Sequence, residues 1–268
     1  MEALLDLGPR ESGTEGAERA ALHIHDRLTA VGCEAEIDRF LNQTPRGEVT
    51  FRNVMARIPG SGTAEWLIGG HYDTKSGISD TFVGANDSGS STGVLIELAR
   101  LAAEAARVAP PNVGLLFVVF DGEEAMESYG KTDGFHGSRH LADRWVREKR
   151  IQHLRAVIIL DMIGDADLNI TIPKNCDRGL VKRLFESAHA QGVRPYFELF
   201  EGTILDDHSA FQAAGVPAVD LIDFEFGSSA GLNDYWHTDQ DTLDHISPQS
   251  LGIVGRVTIE MINRHSIQ

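Results

Sequence analysis

Residues 113–124 read Val-Gly-Leu-Leu-Phe-Val-Val-Phe-Asp-Gly-Glu-Glu, an apolar run that ends abruptly in three acidic residues. The apolar part does not alternate with polar residues, which is typical of a strand buried on both faces in the middle of a parallel sheet. A second run of this kind, at 156–160, is followed by Asp161. Both runs therefore predict central strands that lead directly into acidic side chains.

Helical patterns and shorter apolar runs surround these two strands. Apolar residues recur at helical spacing in four places, at about 16–31, 94–105, 178–190 and 249–264. Gly32 directly follows the first pattern, at a position where helices commonly end. Two more apolar runs, at 66–68 and 217–222, predict strands. Because strands alternate with helices, we predict an α/β fold with a central, mostly parallel sheet flanked by helices.

Length, charge and cysteine content limit the class of protein. The 268 residues include 24 Lys and Arg against 40 Asp and Glu, a net charge of −16. We therefore expect one domain over residues 1–268, with neither nucleic acid nor a membrane as its partner. The sequence shows no transmembrane run and no signal peptide, so the compartment stays unknown. Cys33 and Cys176 form no metal or redox motif, and we expect two separate buried thiols.

Polar side chains follow several of the predicted strands. In an open parallel sheet, ligands bind in the crevice beyond the carboxyl ends of the strands. Three predicted strands deliver His71, the pair Glu123-Glu124 and Asp161 to that edge. Loops add further polar residues, namely Asp87, Asp206, Asp207, His208, Trp236 and His237. A single Asp in such a place is more often a helix cap or turn residue. A binding or catalytic site is indicated because all of these polar residues are predicted to lie at the same edge of the sheet.

The composition of this group favours a metal ion. Two carboxylates about 5 Å apart repel each other by roughly 3 kcal/mol at an effective dielectric constant near 20. A cluster of four must therefore become protonated, separate or bind a cation. Imidazoles mixed with carboxylates, without thiolates, favour zinc or a similar transition metal over calcium or magnesium. Three protein ligands with an open position would make such a site catalytic.

The glycine-rich segment 84–93 allows two other interpretations. It is not a phosphate-binding loop, because no Gly-Lys-Ser/Thr sequence follows. Residues 89–93 read Gly-Ser-Ser-Thr-Gly and match the nucleophile elbow of serine hydrolases, but that elbow requires a buried strand directly before it. Residues 84–88 are polar and turn-forming, so we reject this interpretation.

A series of short segments, in order along nearly the whole chain, matches a known family. They are Gly8-Pro-Arg10, His71-Tyr-Asp-Thr-Lys75, Phe82-Val-Gly-Ala-Asn-Asp-Ser88, Phe120-Asp-Gly-Glu-Glu-Ala125, Asp133-Gly-Phe-His-Gly-Ser-Arg-His-Leu-Ala142, Leu160-Asp-Met-Ile-Gly164, Asp206-Asp-His208, Gly215-Val-Pro217 and Trp236-His-Thr238. On these segments the chain resembles the zinc-dependent aminopeptidase family. The segment at 71–75, the insert at 125–142 and Asp206-Asp-His208 are most similar to the glutaminyl cyclase branch.

This resemblance implies a function and a set of roles. Glutaminyl cyclases convert the N-terminal glutamine of peptides or proteins to pyroglutamate and release ammonia. The implied site has one Zn²⁺ held by Asp87, Glu124 and His237, catalytic residues Glu123, Asp161 and Asp206, and substrate-binding residues Trp236, Tyr129 and His71. The resemblance also suggests that residues 1–268 form a single zinc-dependent cyclase/aminopeptidase-like catalytic domain, that the protein is a monomer, and that its location is secreted or periplasmic.

Two alternatives stay open. The first is a two-metal aminopeptidase that releases N-terminal amino acids. In it His71, Asp87, Glu124, Asp161 and His237 would hold two ions, with Asp87 between them, and Glu123 would activate water. The second is a binding module without catalysis, which would be expected to have lost ligands, whereas this chain retains all of them.

Overall fold

The sheet is built from strands that carry the predicted site residues at their ends. The structure, a computed structural model, describes residues 1–265. Its strands are β1 (Glu34–Thr44), β2 (Gly47–Ile58), β3 (Glu65–His71), β4 (Gly114–Phe120), β5 (Leu154–Asp161), β6 (Ile170–Pro173), β7 (Phe197–Phe200) and β8 (Ala218–Ile222). Six of them form one mixed sheet in the order β1-β2-β4-β3-β5-β8, while β6 and β7 pair separately. The β4, β3, β5 and β8 strands are parallel to one another.

Helices cover both faces of the main sheet. They are α1 (Glu2–Leu5), α2 (Glu15–Ala30), α3 (Ser91–Val108), α4 (His136–Arg147), α5 (Arg178–Ala190), α6 (His208–Ala213) and α7 (Pro248–His265). The α2, α3, α5 and α7 helices pack on one face, and α4 and α6 pack on the other. None of the helices within residues 1–265 is long and apolar enough to cross a bilayer.

The central strands are buried on both faces, as their sequences predict. In β4, Phe117 and Val119 belong to the core on the α2–α3 side, while Leu116 and Val118 belong to the core beneath α4. All four side chains are at most 3% exposed. This two-sided burial explains why the run contains no polar residue, and it confirms the predicted α/β class with a mostly parallel sheet.

The antiparallel part of the sheet is absent from the sequence-based prediction. The β1 and β2 strands form a hairpin that pairs with β4 through β2. Most of the β1 side chains are exposed or half-buried, since β1 is an edge strand. Its mixture of polar and apolar residues therefore lacks the unbroken apolar run that identified the central strands.

The parallel register brings the ends of the strands level with one another. His71 at the end of β3 pairs with Phe120 at the end of β4, and Asp161 at the end of β5 pairs with Ile222 in β8. The loops that follow β3, β4 and β5 therefore leave the sheet side by side, as the strand-end argument predicts.

One buried arginine fixes the loop that follows β3. Arg10 is fully buried, and its guanidinium group donates hydrogen bonds to three main-chain oxygens, those of Tyr72 (2.8 Å), Val83 (2.6 Å) and Gly84 (3.2 Å). The loop that it holds leads directly to Asp87. Arg10 therefore ties the N-terminal segment to the segment that supplies a predicted metal ligand.

We expect Arg10→Met to lower the free energy of unfolding by about 3 kcal/mol, because three buried carbonyl groups would lose their donor. Urea denaturation followed by circular dichroism measures this change. The control is Arg19→Met, whose side chain is 53% exposed and which should change stability by less than about 0.5 kcal/mol. Equal stability of the two variants would contradict the anchoring role of Arg10.

Candidate active site

The main chain of the Glu123-Glu124 pair is fixed by a carboxylate from the neighbouring strand end. Asp73 lies just beyond β3 and is fully buried. Its carboxylate accepts hydrogen bonds from the backbone N–H groups of Glu123 (3.2 Å) and Glu124 (3.1 Å). Both glutamates are consequently held at the point where β4 ends, with side chains that are at most 6% exposed.

The position of Asp87 is fixed in a similar way from the far end of the chain. The Asp241 carboxylate accepts hydrogen bonds from the N–H groups of Asn86 (2.6 Å) and Asp87 (3.0 Å). Gly84 has a φ of +51°, and a Cβ atom there would lie 2.1 Å from the carbonyl oxygen of Asp87. Only glycine fits at this position, and the peptide bond between Asp87 and Ser88 is cis.

Asp87 lies between two imidazoles. Its Oδ1 is 3.0 Å from Nε2 of His71, and its Oδ2 is 3.3 Å from Nε2 of His237. His71 Nε2 is also 3.3 Å from Oδ1 of Asp161, and His237 Nε2 is 2.8 Å from Oε1 of Glu124. Two three-residue groups result, His71–Asp87–Asp161 and Asp87–Glu124–His237, and in each the candidate ligand atoms lie within 4.8 Å of one another.

The Asp87–Glu124–His237 group fits a zinc ion. Ligands about 2.1 Å from a tetrahedral ion lie roughly 3.4 Å from one another. The separations of 2.8 and 3.3 Å from His237 Nε2 are close to this value. One imidazole nitrogen and two carboxylate oxygens form a donor set that zinc accepts, and they leave a fourth position open.

The charges around this group favour a bound cation. Burial, and then the charge on Asp87, raise the pKa of Glu124. Burial lowers the pKa of His237, but hydrogen bonds and attraction to Asp87 and Glu124 outweigh it and raise that pKa to about 9. The raised pKa of His237 shows that the electrostatic potential of the site is strongly negative. A metal cation bound there would balance the same negative charge.

Three other carboxyl groups line a cavity of about 370 Å³ above the candidate ligands. They belong to Glu123, Asp161 and Asp206, which are at most 8% exposed. Burial, followed by the charges on Asp220 and Asp161, raises the pKa of Asp206 well above its usual range. Burial also raises the pKa values of Glu123 and Asp161, and nearby carboxylates add to that rise. Such groups can hold and transfer protons near neutral pH.

Aromatic side chains form part of the cavity wall. Trp236 lies edge-on to Phe224, and its ring stacks on that of His237 at a centroid distance of 4.0 Å. Tyr129 is 40% exposed, and its hydroxyl group donates a hydrogen bond of 3.1 Å to Oε2 of Glu124. The cavity therefore has flat apolar walls and is lined elsewhere by carboxyl groups.

The structure brings together all nine of the residues predicted for the site. Seven of them line the cavity, namely Asp87, Glu123, Glu124, Tyr129, Asp161, Asp206 and Trp236. His237 contacts Asp87 and Glu124 beside it. His71, predicted to bind substrate, is 1% exposed, is not among the lining residues, and contacts Asp87 and Asp161.

Comparison with known proteins assigns the chain to a family. A model of Peptidase family M28 matches residues 53–262, which is most of the chain. The chain belongs to Peptidase family M28. Its matched region includes the His71–Asp87–Asp161 and Asp87–Glu124–His237 groups and all of the cavity-lining residues.

Individual relatives locate this M28 chain within a branch of the family. A bovine glutaminyl-peptide cyclotransferase-like protein is 32% identical over 86% of this chain, which spans 65% of that relative's length. The mouse protein of the same description is 32% identical, with coverage of 96% of this chain and 72% of the relative. The crystal structure of an Acidobacteriales bacterium glutaminyl cyclase superposes with a TM-score of 0.88 at 36% identity, over 99% of this chain and 94% of that one. This M28 chain belongs to the glutaminyl cyclase branch.

Several residues that support the M28 site were not identified from the sequence. Asp73 and Asp241 accept the hydrogen bonds that position the glutamate pair and Asp87. Asp220 is fully buried in β8 and raises the pKa of Asp206. Asp220 had a recognisable signal, since it is the one charged residue in the apolar run 217–222.

We expect Asp87→Ala and His237→Ala to reduce bound zinc to roughly one tenth of the wild-type amount after dialysis, because a three-ligand site cannot hold the ion with two. Inductively coupled plasma mass spectrometry on the folded protein measures this amount. The exposed Asp244→Ala is the matched control and should retain zinc. Full zinc content in Asp87→Ala would contradict the ligand assignment.

Proposed function

We propose that this protein is a zinc-dependent glutaminyl-peptide cyclotransferase, which converts the N-terminal glutamine of a peptide or protein to pyroglutamate and releases ammonia. The observation that carries this proposal is the cavity in which Glu123, Asp161 and Asp206 lie together beside the Asp87–Glu124–His237 group. Membership of the glutaminyl cyclase branch supports it. We further propose that the chain acts as a monomeric, single catalytic domain.

The proposed metal ligands are Asp87, Glu124 and His237. A zinc ion bound there would act as a Lewis acid toward the side-chain carbonyl group of the substrate glutamine. Trp236 stacks on His237 and so supports the orientation of that ligand as well as forming a wall.

Glu123 is the proposed general base. The α-amine nitrogen of the substrate forms a bond to the side-chain carbonyl carbon, and the carbon–nitrogen bond of the amide breaks. Glu123 accepts the proton that the amine loses and gives it to the departing nitrogen, which leaves as ammonia. Its carboxyl group suits this exchange because burial raises its pKa above the usual range, closer to operating pH.

Asp161 and Asp206 are proposed to orient the reacting nitrogens. Their carboxyl groups line the same cavity as Glu123, and both have raised pKa values because they are buried. Protonated carboxyl groups can donate hydrogen bonds, whereas ionised ones accept them from an amine. The set therefore offers donors and acceptors on one side of the bound glutamine.

The ring closure is intramolecular, so much of the rate enhancement comes from holding the glutamine side chain folded toward its own amine. Tyr129, Phe224 and Trp236 line the cavity of about 370 Å³ and provide walls that restrict the bound side chain. No water nucleophile is needed.

A two-metal aminopeptidase is the second candidate, and one observation favours it. His71, Asp87 and Asp161 form a further ligand group. His71 Nε2 lies 3.0 Å from Asp87 and 3.3 Å from Asp161, but neither it nor Asp161 Oδ1 makes a hydrogen bond of suitable geometry among the described residues. Such a pair could hold another ion. The cyclase proposal instead gives Asp161 a role in orienting substrate, and the two candidates therefore differ in metal content.

We expect Glu123→Gln to lower the rate of ammonia release from a Gln-initiated peptide by about 10²–10⁴-fold, because the amide cannot accept the proton. A coupled ammonia assay measures the rate, and metal analysis should show that zinc is retained. The exposed Glu127→Gln lies in the same segment and serves as the control. A nearly normal rate in Glu123→Gln would refute the role of this residue.

We expect one zinc ion per wild-type chain, and His71→Ala should still bind it, because His71 is not a ligand in the proposed site. Metal analysis of the folded fraction, together with assays for ammonia and for free amino acids, measures this. Two ions in the wild type, one in His71→Ala, and release of amino acids without ammonia would establish the peptidase instead.

A further inference from the structure

A second cavity is a groove that adjoins the active-site cavity and shares Phe200 with it. It has a volume of about 800 Å³ and lies among β6, β7, α5 and the end of α7. Its basic lining residues are Lys174, Arg178, Lys182, Arg194 and Arg264. The lining includes only two acidic residues, Glu186 and Glu201.

This local excess of positive charge is unusual in a chain with a net charge of −16. Three of the five cations have carboxylate partners: Lys174 pairs with Glu201 (3.7 Å), Lys182 with Glu186 (3.8 Å) and Arg264 with Glu260 (2.6 Å). The carboxylate partners neutralise much of the charge on these three side chains. The two remaining cations therefore determine which ligand charges the groove attracts.

Arg178 and Arg194 have no carboxylate partner among residues 1–265. Arg194 lies over the ring of Phe185 at 3.8 Å and donates a hydrogen bond to the carbonyl oxygen of Phe197. Arg178 is exposed at the first residue of α5, where the helix dipole disfavours a positive charge. Its position therefore adds nothing to the stability of α5 and leaves its charge available to an anionic group.

The groove also has an apolar side that extends to the active site. Phe200 lines both the groove and the catalytic cavity, and it is 39% exposed. Leu199, which lines the groove, is 59% exposed, and Leu205, which lines the catalytic cavity beside Asp206, is 67% exposed. The groove and the catalytic cavity therefore meet at Phe200.

We propose that this groove binds the part of the peptide substrate that follows its N-terminal glutamine, with a preference for acidic side chains interspersed with apolar ones. The inference rests on the proposed function, since it assigns the catalytic cavity to the first residue of the peptide. Continuity with the catalytic cavity through Phe200 favours this occupant, and the free charges of Arg178 and Arg194 favour acidic side chains on it. Two copies of a chain with a net charge of −16 would repel each other.

The test compares two ten-residue peptides that begin with glutamine. One contains alternating Glu and Leu from its third residue, and the other has internal Gln in place of each Glu. Internal glutamines lack a free α-amine next to the side chain and so do not cyclise. We expect the acidic peptide to have a KM about threefold to tenfold lower at low ionic strength, with the difference lost in about 1 M salt, because salt screens exposed charges.

The variant Arg178→Glu should remove this preference and leave the KM and kcat for the dipeptide Gln-Ala unchanged. It should fold normally, because an acidic residue at the start of a helix is favoured. The matched control is Arg147→Glu, which makes the same change of charge at an exposed residue of α4 outside the groove. Equal KM values for the two peptides in the wild type, or equal effects of the two variants, would overturn the proposal.

A binding measurement separates this proposal from the proposed function. The acidic peptide is capped with pyroglutamate, labelled at its far end and followed by fluorescence anisotropy. If no peptide is cyclised and binding still depends on Arg178, the proposed function fails, and only the binding of acidic peptides in the groove is supported. If Gln-Ala is cyclised and Arg178→Glu changes only the sedimentation of the protein, the groove is a contact between copies of the chain and the proposal fails.

Discussion

Repulsion among buried carboxylates is the constraint on which the rest of this site depends. Asp87, Glu123, Glu124, Asp161 and Asp206 lie around one cavity, each less than a tenth exposed. At an effective dielectric constant near 20, each pair about 5 Å apart costs roughly 3 kcal/mol when both members are ionised. The arrangement can persist only if some members are protonated and others share a cation. Asp87, Glu124 and Asp161 lie near imidazole nitrogens, and burial raises the pKa values of Glu123, Glu124, Asp161 and Asp206.

Such a group also needs a rigid support, which the buried hydrogen bonds of the main chain provide. Asp73 holds the backbone of the glutamate pair, and Asp241 holds that of Asp87. Arg10 holds the loop that leads from the end of β3 to Asp87. These three residues contact no substrate in the proposed mechanism. Their hydrogen bonds restrict the positions of the candidate ligands, as a metal site requires.

Much of the fold and of the site was predictable from the sequence because both depend on local patterns. Unbroken apolar runs identified β4 and β5, and the topology of parallel sheets then placed His71, the glutamate pair and Asp161 at one edge. The β1–β2 hairpin was not predicted, since its exposed edge strand has no apolar run. The supporting roles of Asp73 and Asp241 were equally out of reach, because each depends on a long-range hydrogen bond that no spacing in the chain reveals.

The account stands on a single bound ion among Asp87, Glu124 and His237. Anomalous diffraction from crystals of the zinc-loaded protein, recorded at energies above and below the zinc absorption edge, tests this claim most directly. We predict one anomalous peak within bonding distance of these three side chains, and none between His71 and Asp161. A map with no peak at the three ligands, or with these side chains turned away from one another, would contradict the account.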